Sequence, residues 1–457
     1  MSDDLWRKGA GELAALIRNG EVSSVEVVQA HLDRIEAVNG PVNAVTVTLA
    51  DEALAAARAA DAADGPTGPL HGVPFTIKEN IDIVGSATTN GVPALAGALP
   101  PLDAPVVARM KAAGAVPLAR TNLPEMALRI STDNPLRGRT CNPWNAGVCA
   151  GGSSGGEGAA LATGMTPIGL GNDIGGSLRN PAFCNGIASI KPTHGRVAQA
   201  GSLPPIDPMV AAQVMATDGP MARRVADVRL GLEVLNGRDP RDPRSVDVPL
   251  DGRALPRRAA LVTDLEMPAS FVDAVRTAGA ALEADGWEVV EATPPDIEQV
   301  NVVWTAMMKL GLEQLVPLLA GIMTEPAAGL LHSLVALDLP DPSTAFVERH
   351  RLQREWSEFF GRHTVVVGPT WTDVQFEHDA DVDPETGMAT TLGRVTFITP
   401  GNLLGIPSVA LPVGVAGGLP LGVQVYADLW RDDVALAAAQ VIEDAVGVLT
   451  PIDPVTS

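Results

Sequence analysis

Aromatic side chains make up only 4% of this 457-residue sequence, and its three cysteines are Cys141, Cys149 and Cys184. So sparse and odd a set builds no disulfide framework and suits a reducing compartment, which points to the cytoplasm. Basic residues are also few, 32 against 54 acidic ones, for a formal net charge of −22. That balance excludes the basic footprint of a nucleic-acid binder and reads as solubility or a high-salt habitat. No run approaches about 18 uninterrupted apolar residues, so no membrane-spanning helix is expected. The opening MSDDLWRKGA lacks the basic-then-apolar order of a secretory signal. No pair of Cys or His residues has metal-ligand spacing, and there is no G-x-x-x-x-G-K-[ST] phosphate loop. With aromatics scarce, the 46% hydrophobic content must build its core from Leu, Val, Ile and Ala, which at this length is ample.

Glycine, in contrast, is concentrated between Ala150 and Thr193, in AGGSSGGEGAALATGMTPIGLGNDIGGSLRNPAFCNGIASIKPT. Such density marks backbone that turns sharply or approaches another group closely. Ser153, Ser154 and Ser177 sit among these glycines, as a nucleophile surrounded by free backbone N–H groups would. A Gly/Ser tether is the competing reading. It fails because Ala159–Ala162 and Ile168–Leu170 would leave apolar side chains in solvent.

The rest of the chain reads as α/β. Residues 11–38 carry two amphipathic helices, with a Ser-x-x-Glu capping box at Ser23 and Glu26. Strands are expected at 45–49, 115–120, 259–264, 287–290, 365–367, 408–413 and 422–426, and helices at 51–63, 103–113, 269–284 and 431–446. The 259–290 unit implies a parallel pair with a right-handed crossover. Residues 296–363 read as helical and interrupt the strand–helix rhythm, so they are expected to shape substrate access. In HGVPFTIKENI, Lys78 falls on a strand between Ile77 and Ile81. There it is either buried, which would lower its pKa, or solvated or ion-paired with Glu79.

Two patterns in the Gly-rich stretch compete as sites. Gly151–Gly155 matches G-x-S-x-G, but the preceding 142–147 reads as loop where a nucleophile elbow needs a strand. Gly169–Gly175 is one residue too long for a dinucleotide fingerprint. Ile174-Gly175-Gly176-Ser177 can instead turn successive N–H groups toward the Ser177 hydroxyl. Such donors stabilise an oxyanion by about 3–4 kcal/mol each. The alternative is a tight turn that caps a helix beginning near Ser177.

Taken together, GVPFTIKENI, TNLPEMA (Thr121–Ala127), GRTCNPWN (Gly138–Asn145), the Gly-rich stretch, TPGNLLGIPSVALPVG and LPLGVQVYA resemble the amidase signature family of hydrolases. Several motifs in the right order are far more specific than any one. The resemblance covers residues 70–225 and 395–445. It implies a single amidase domain over 1–457, with a large mixed β-sheet flanked by helices on both faces. It also implies a Ser-cisSer-Lys triad, with Ser177 as nucleophile, Ser153 as the bridging serine after a cis Gly152–Ser153 peptide, and Lys78 as base. The family's spacing selects Ser153 over Ser154 as the bridge. The oxyanion hole would comprise Ile174, Gly175, Gly176 and Ser177. Ser154 and Asp173 would hold the loops, and Arg179 would shape the site. Substrate would meet Glu125, Met126, Ala127 and Gly152, with the acyl pocket drawn from 125–130 and the 296–363 region. Asn172 departs from the family, where Ser or Thr is common, and should alter the hydrogen bonding there.

The expected activity is hydrolysis of a carboxamide, anilide or carbamate C–N bond through a Ser acyl-enzyme, with no cofactor, metal, nucleic acid or membrane. The partner is a small-molecule amide, and a homodimer is left open. Two alternatives share the fold: the glutaminase subunit of an amidotransferase, and a catalytically silent binding protein.

Overall fold

A computed structural model describes residues 2–319 and 321–455. Helices α1 (Ala10–Arg18) and α2 (Ser24–Val42) lead into β1 (Val45–Thr48) and α3 (Ala50–Asp61). The α2 N-terminus forms the capping box in full, Ser23 accepting from the Glu26 N–H and Glu26 from the Ser23 N–H. This satisfies two otherwise orphaned donors. Strand β2 (Pro74–Lys78), helix α4 (Pro105–Ala112) and strand β3 (Val116–Thr121) follow. The Gly-rich stretch then supplies α5 (Gly155–Ala162), β4 (Ile168–Asp173), α6 (Arg179–Asn185) and β5 (Ala188–Lys191).

Next come α7 (Val210–Met215), β6 (Thr217–Ala222) and α8 (Val225–Leu235). They precede the unit β7 (Arg258–Leu261), α9 (Ala269–Ala284) and β8 (Glu288–Glu291). The helical excursion is α10 (Ile297–Leu319), α11 (Glu325–Val335) and α12 (Pro342–Phe360). The chain returns through β9 (Val365–Pro369), α13 (Gly387–Arg394) and α14 (Thr399–Leu403). It closes with β10 (Ser408–Ala416), β11 (Leu419–Ala427) and α15 (Asp432–Val446).

All these strands join one 11-stranded sheet in the order β1-β3-β2-β4-β6-β5-β10-β11-β9-β7-β8. It is mixed: β2 lies parallel to β3 and β4, and β7 parallel to β8 and β9, while β4–β6 and β10–β11 are antiparallel. Alternate strand residues such as Phe75, Ile77, Leu170, Val409 and Val425 pack on one face against α4, α8, α9 and α15. The opposite face carries α5 and α6 and, toward the β9 side, a second apolar cluster built on α7, α10, α12 and α14. The sheet is therefore covered on both sides, and its central strands are buried on both faces.

Three strands lay outside the sequence reading: β4, β5 and β6. Glycines at 169 and 171 conceal β4, and Gly219-Pro220 conceals β6, because both residue types weaken a strand signal. Their positions explain the glycines. A Cβ on Gly171 would stand 2.8 Å from Ser154 Oγ and 2.9 Å from Leu178 Cδ2, so the strand must be bare for the nucleophile loop to pack on it.

Among the described residues, α10 alone is long and apolar enough by composition to cross a bilayer. More than half of its most apolar window is buried within the fold. Val300, Trp304, Met307 and Leu312 lie in the second cluster, as on a core helix.

Candidate active site

The site is assembled from the ends of β2 and β4 and from two loops. Side chains alternate along β2. With Phe75 and Ile77 in the first core cluster, Thr76 and Lys78 face the other side, where α5 lies. Lys78 is fully buried there. Its Nζ donates to Ser153 Oγ at 2.6 Å and to Asn172 Oδ1 at 2.7 Å. Asn172 sits on β4, and its Nδ2 donates to Asn80 Oδ1 at 3.1 Å, so its oxygen is turned to the lysine. Glu79 is not the partner of Lys78: its carboxylate binds Arg137 at 2.6 Å, leaving Lys78 without an ion pair among the described residues.

Burial therefore dominates the Lys78 amine and pulls its pKa down to about 7, although Asp173, Asp218 and Glu157 oppose the shift. Glu157 is buried behind Thr76 and Thr121, and burial lifts its own pKa to about 7. Asp218, which lies opposite Asn172 across β4 and β6, is likewise lifted to about 7.

Ser153 follows a cis Gly152–Ser153 peptide. Its loop is tied to the turn after β4. The Gly152 N–H donates to Asn180 Oδ1 at 2.8 Å, the Asn180 amide donates back to the Gly152 carbonyl, and the Ser154 N–H donates to the Ser177 carbonyl at 3.3 Å. The Ser154 hydroxyl has no partner among the described residues. Ser154 thus holds the loops through its backbone, not its side chain.

Ser177 lies in the turn between β4 and α6, so the strand-to-helix setting sought before Ser153 occurs one segment later. The turn is organised by Asp173. Its Oδ1 accepts from the Gly176 N–H at 2.7 Å and its Oδ2 from the Leu178 N–H at 3.1 Å. Arg179 holds the same carboxylate through Nε and Nη2, both at 3.1 Å, with both side chains fully buried. Burial alone would raise the Asp173 pKa, but Arg179 and Asn402 outweigh it and hold it at about 2. Arg179 reaches on to the Ile398 carbonyl, Gln424 and Tyr426.

This bonding corrects the expected oxyanion set. The Gly176 N–H is committed to Asp173, whereas the amides of Ile174, Gly175 and Ser177 have no acceptor among the described residues. Gly176 adopts φ +103°, and a Cβ on Gly175 would stand 2.5 Å from the Trp304 ring. Only glycine meets both demands.

Ser177 opens into a narrow cavity of about 70 Å³. Its walls are Ala127, Leu128 and Ile130 on one side, Trp304, Met308 and Leu312 of α10, Leu330, Leu331 and Leu334 of α11, and Met388, Thr391 and Leu392 of α13. Arg129, Leu330 and Met388 also border a broader, more polar cavity of about 1090 Å³. Of the residues expected to meet substrate, Ala127 lines the narrow cavity and Met126 packs into the second core cluster. Gly152 lies under the Arg129–Ser131 backbone. Glu125 lines the broader cavity rather than the narrow one. Its carboxylate is buried and accepts from the Thr324 N–H at 2.7 Å and the Thr324 hydroxyl at 2.5 Å, and so pins the start of α11. The α13 wall was not anticipated, since nothing in its short, polar sequence marks it as cavity lining.

The family model for Amidase matches residues 26–321 and 338–436. An indoleacetamide hydrolase of Bradyrhizobium diazoefficiens is 43% identical over 97% of this chain and 88% of its own. A second indoleacetamide hydrolase, from Bradyrhizobium japonicum, is 40% identical over 80% of this chain and 81% of its own. Among solved structures, 6-aminohexanoate cyclic dimer hydrolase superposes with a TM-score of 0.83 at 28% identity, covering 97% of this chain and 98% of that one. A bacterial aryl acylamidase of the amidase signature enzymes gives 0.83 at 26% identity, covering 96% of each chain. The chain belongs to the amidase family, and the bond it hydrolyses is an amide C–N bond.

Proposed function

We propose that this amidase cleaves the primary amide of a compact arylacetic acid, with Ser177 as nucleophile, Ser153 as proton bridge and Lys78 as base. One observation carries the assignment of roles: a buried amine without an ion pair among the described residues, 2.6 Å from the Ser153 hydroxyl. Neutral Lys78 takes the Ser153 proton as Ser153 takes that of Ser177, and Ser177 Oγ attacks the amide carbon. The developing oxyanion is received by the amides of Gly175 and Ser177, with Ile174 beside them. The relay then returns a proton to the departing ammonia, and water hydrolyses the acyl-enzyme. The substrate class rests on the apolar walls of the cavity and on the indoleacetamide hydrolase name of the 43% identical relative. The same reading takes 1–457 as one domain acting in the cytoplasm on a small molecule, with 296–363 shaping access.

The glutaminase reading is weaker because free glutamine brings an ammonium and a carboxylate. Among the described residues, the one charged side chain of the narrow cavity is Arg129, which donates to Asp381 through Nε and Nη2, both at 2.9 Å. The silent-protein reading is opposed by the Lys78–Ser153 contact.

Ammonia release from indole-3-acetamide and from glutamine tests the proposal. Ser177→Ala and Lys78→Ala should each lower kcat by at least about 10²–10⁴-fold while thermal melting persists. Unchanged turnover in either variant would sink the assignment of roles. Glutamine preferred over the aryl amide would sink the substrate class. A fluorophosphonate that labels the wild type but not Ser177→Ala excludes the silent protein.

A further inference from the structure

The amides of Ile174, Gly175 and Ser177 share one arrangement. A trans peptide is planar, and its C=O and N–H point in opposite directions. Whatever holds a carbonyl therefore aims the N–H of the residue that follows. The carbonyl ahead of each of these amides is held. Asn402 Nδ2 donates to the Asp173 carbonyl at 3.3 Å, Trp304 Nε1 to the Ile174 carbonyl at 3.0 Å, and the Asn180 N–H to the Gly176 carbonyl at 2.7 Å. The three N–H groups are turned the other way.

Asn402 and Asn180 belong to the buried network that already fixes Asp173 and Gly152. Trp304 comes from outside it, on α10. Among the described residues, its bond is the one hydrogen bond on the peptide joining Ile174 to Gly175. Gly175 has no Cβ to resist rotation of that peptide. The indole also packs directly on it: a Cβ at Gly175 would stand 2.5 Å from Trp304 Cζ2. The bare glycine is what lets the ring reach the carbonyl. A donor on the C=O also polarises the peptide and strengthens its N–H.

We propose that Trp304 is a positioning residue for the oxyanion hole, its indole N–H fixing the Ile174–Gly175 peptide so that the Gly175 N–H meets the developing oxyanion. The proposal rests on the reading of Ser177 as nucleophile. Without the indole bond the peptide keeps its donor but no longer aims it. The loss falls where negative charge develops, in the transition state, and leaves ground-state binding in place.

The test replaces Trp304 in the full chain in two ways. Trp304→Phe removes the N–H and part of the ring. The isostere 3-benzothienylalanine, installed at position 304 alone, puts sulfur in place of the N–H and keeps the ring's size, so it decides the matter even if Trp304→Phe does not fold. Both are compared with wild type and Ser177→Ala, on indole-3-acetamide and on an arylmethyl trifluoromethyl ketone, which forms a hemiketal oxyanion on a nucleophilic serine. The isostere should lower kcat about ten- to a hundredfold, weaken the ketone by the same factor and hold KM within about twofold. A raised KM at unchanged kcat would show a wall residue only and overturn the proposal. Ketone affinity that depends on Ser177 but not on the indole N–H would overturn it alone. Ketone binding as tight in Ser177→Ala as in wild type would remove the nucleophile reading, and the proposal with it.

Discussion

Two walls meet at Ser177, and they are built by opposite means. The wall formed by residues 150–180 is laced. Asp173, Arg179, Asn180 and Asn402 occupy buried positions, and hydrogen bonds run from side chains to the backbone of both serine loops. The wall formed by α10, α11 and α13 is largely apolar, made of Leu, Met and Trp with Thr391, and the Glu125 carboxylate pins the start of α11. Hydrogen bonds are directional and place atoms to within tenths of an ångström, as proton relay requires. Apolar contacts are not directional and tolerate changes of shape. The family model matches the first wall and also α10 and α13 of the second, and within 26–436 passes over only 322–337, where α11 sits. Under the proposed function the first wall serves the chemistry and the second the selectivity, and Trp304 joins the two through its bond to the Ile174 carbonyl.

That division can be broken most severely at the laced wall. Loss of Ser177 or Lys78 removes the chemistry, as set out above. Arg179→Ala should come next, because it leaves Asp173 buried without its cation. Removing one partner of a buried pair costs about 3–5 kcal/mol. Chemical denaturation should show that loss together with low activity, and a variant as stable as wild type would contradict the role given to the pair.

The base itself can be read from pH. With Lys78 at about 7, the reactive neutral amine is scarce below that value and predominates above it. The ratio kcat/KM should therefore rise through about pH 7 and level off, and a flat profile from about pH 6 to 10 would remove Lys78 as base. Asn172→Asp sharpens the point. It places a carboxylate where the amide oxygen now lies 2.7 Å from Nζ, which favours the ammonium and moves the rise to higher pH. A shift to lower pH would count against the geometry.

The smallest effects belong to the apolar wall. Leu331→Ala on α11 should change KM for bulky aryl amides several-fold and leave kcat nearly as it was, since it alters binding common to ground and transition states. An equal fall in kcat would show that the two walls are coupled.

Much of this was legible beforehand because it depends on local rules. The helix read at 269–284 is α9, Ala269–Ala284, since its apolar spacing and flanks are local signals. The Ser23–Glu26 box formed for the same reason. What escaped depends on neighbours distant in sequence. Strand β4 carried no strand signal because its glycines make room for Ser154, Glu157 and Leu178. That Glu125 also holds Thr324 with both its oxygens could not be read from residues 199 positions apart. Gly176 counted as an oxyanion donor until Asp173 claimed its N–H.

Residue order by itself determined the kind of chemistry: serines among glycines, a lysine on an apolar strand, and the motif order that marks an amidase. Periodicity and turn residues act over a few positions, and the chain states them directly. Tertiary structure decided which hydroxyl Lys78 touches and which amides have no acceptor among the described residues. Those outcomes depend on which distant groups each atom meets once the sheet closes, and on how far burial from water lowers the pKa of Lys78.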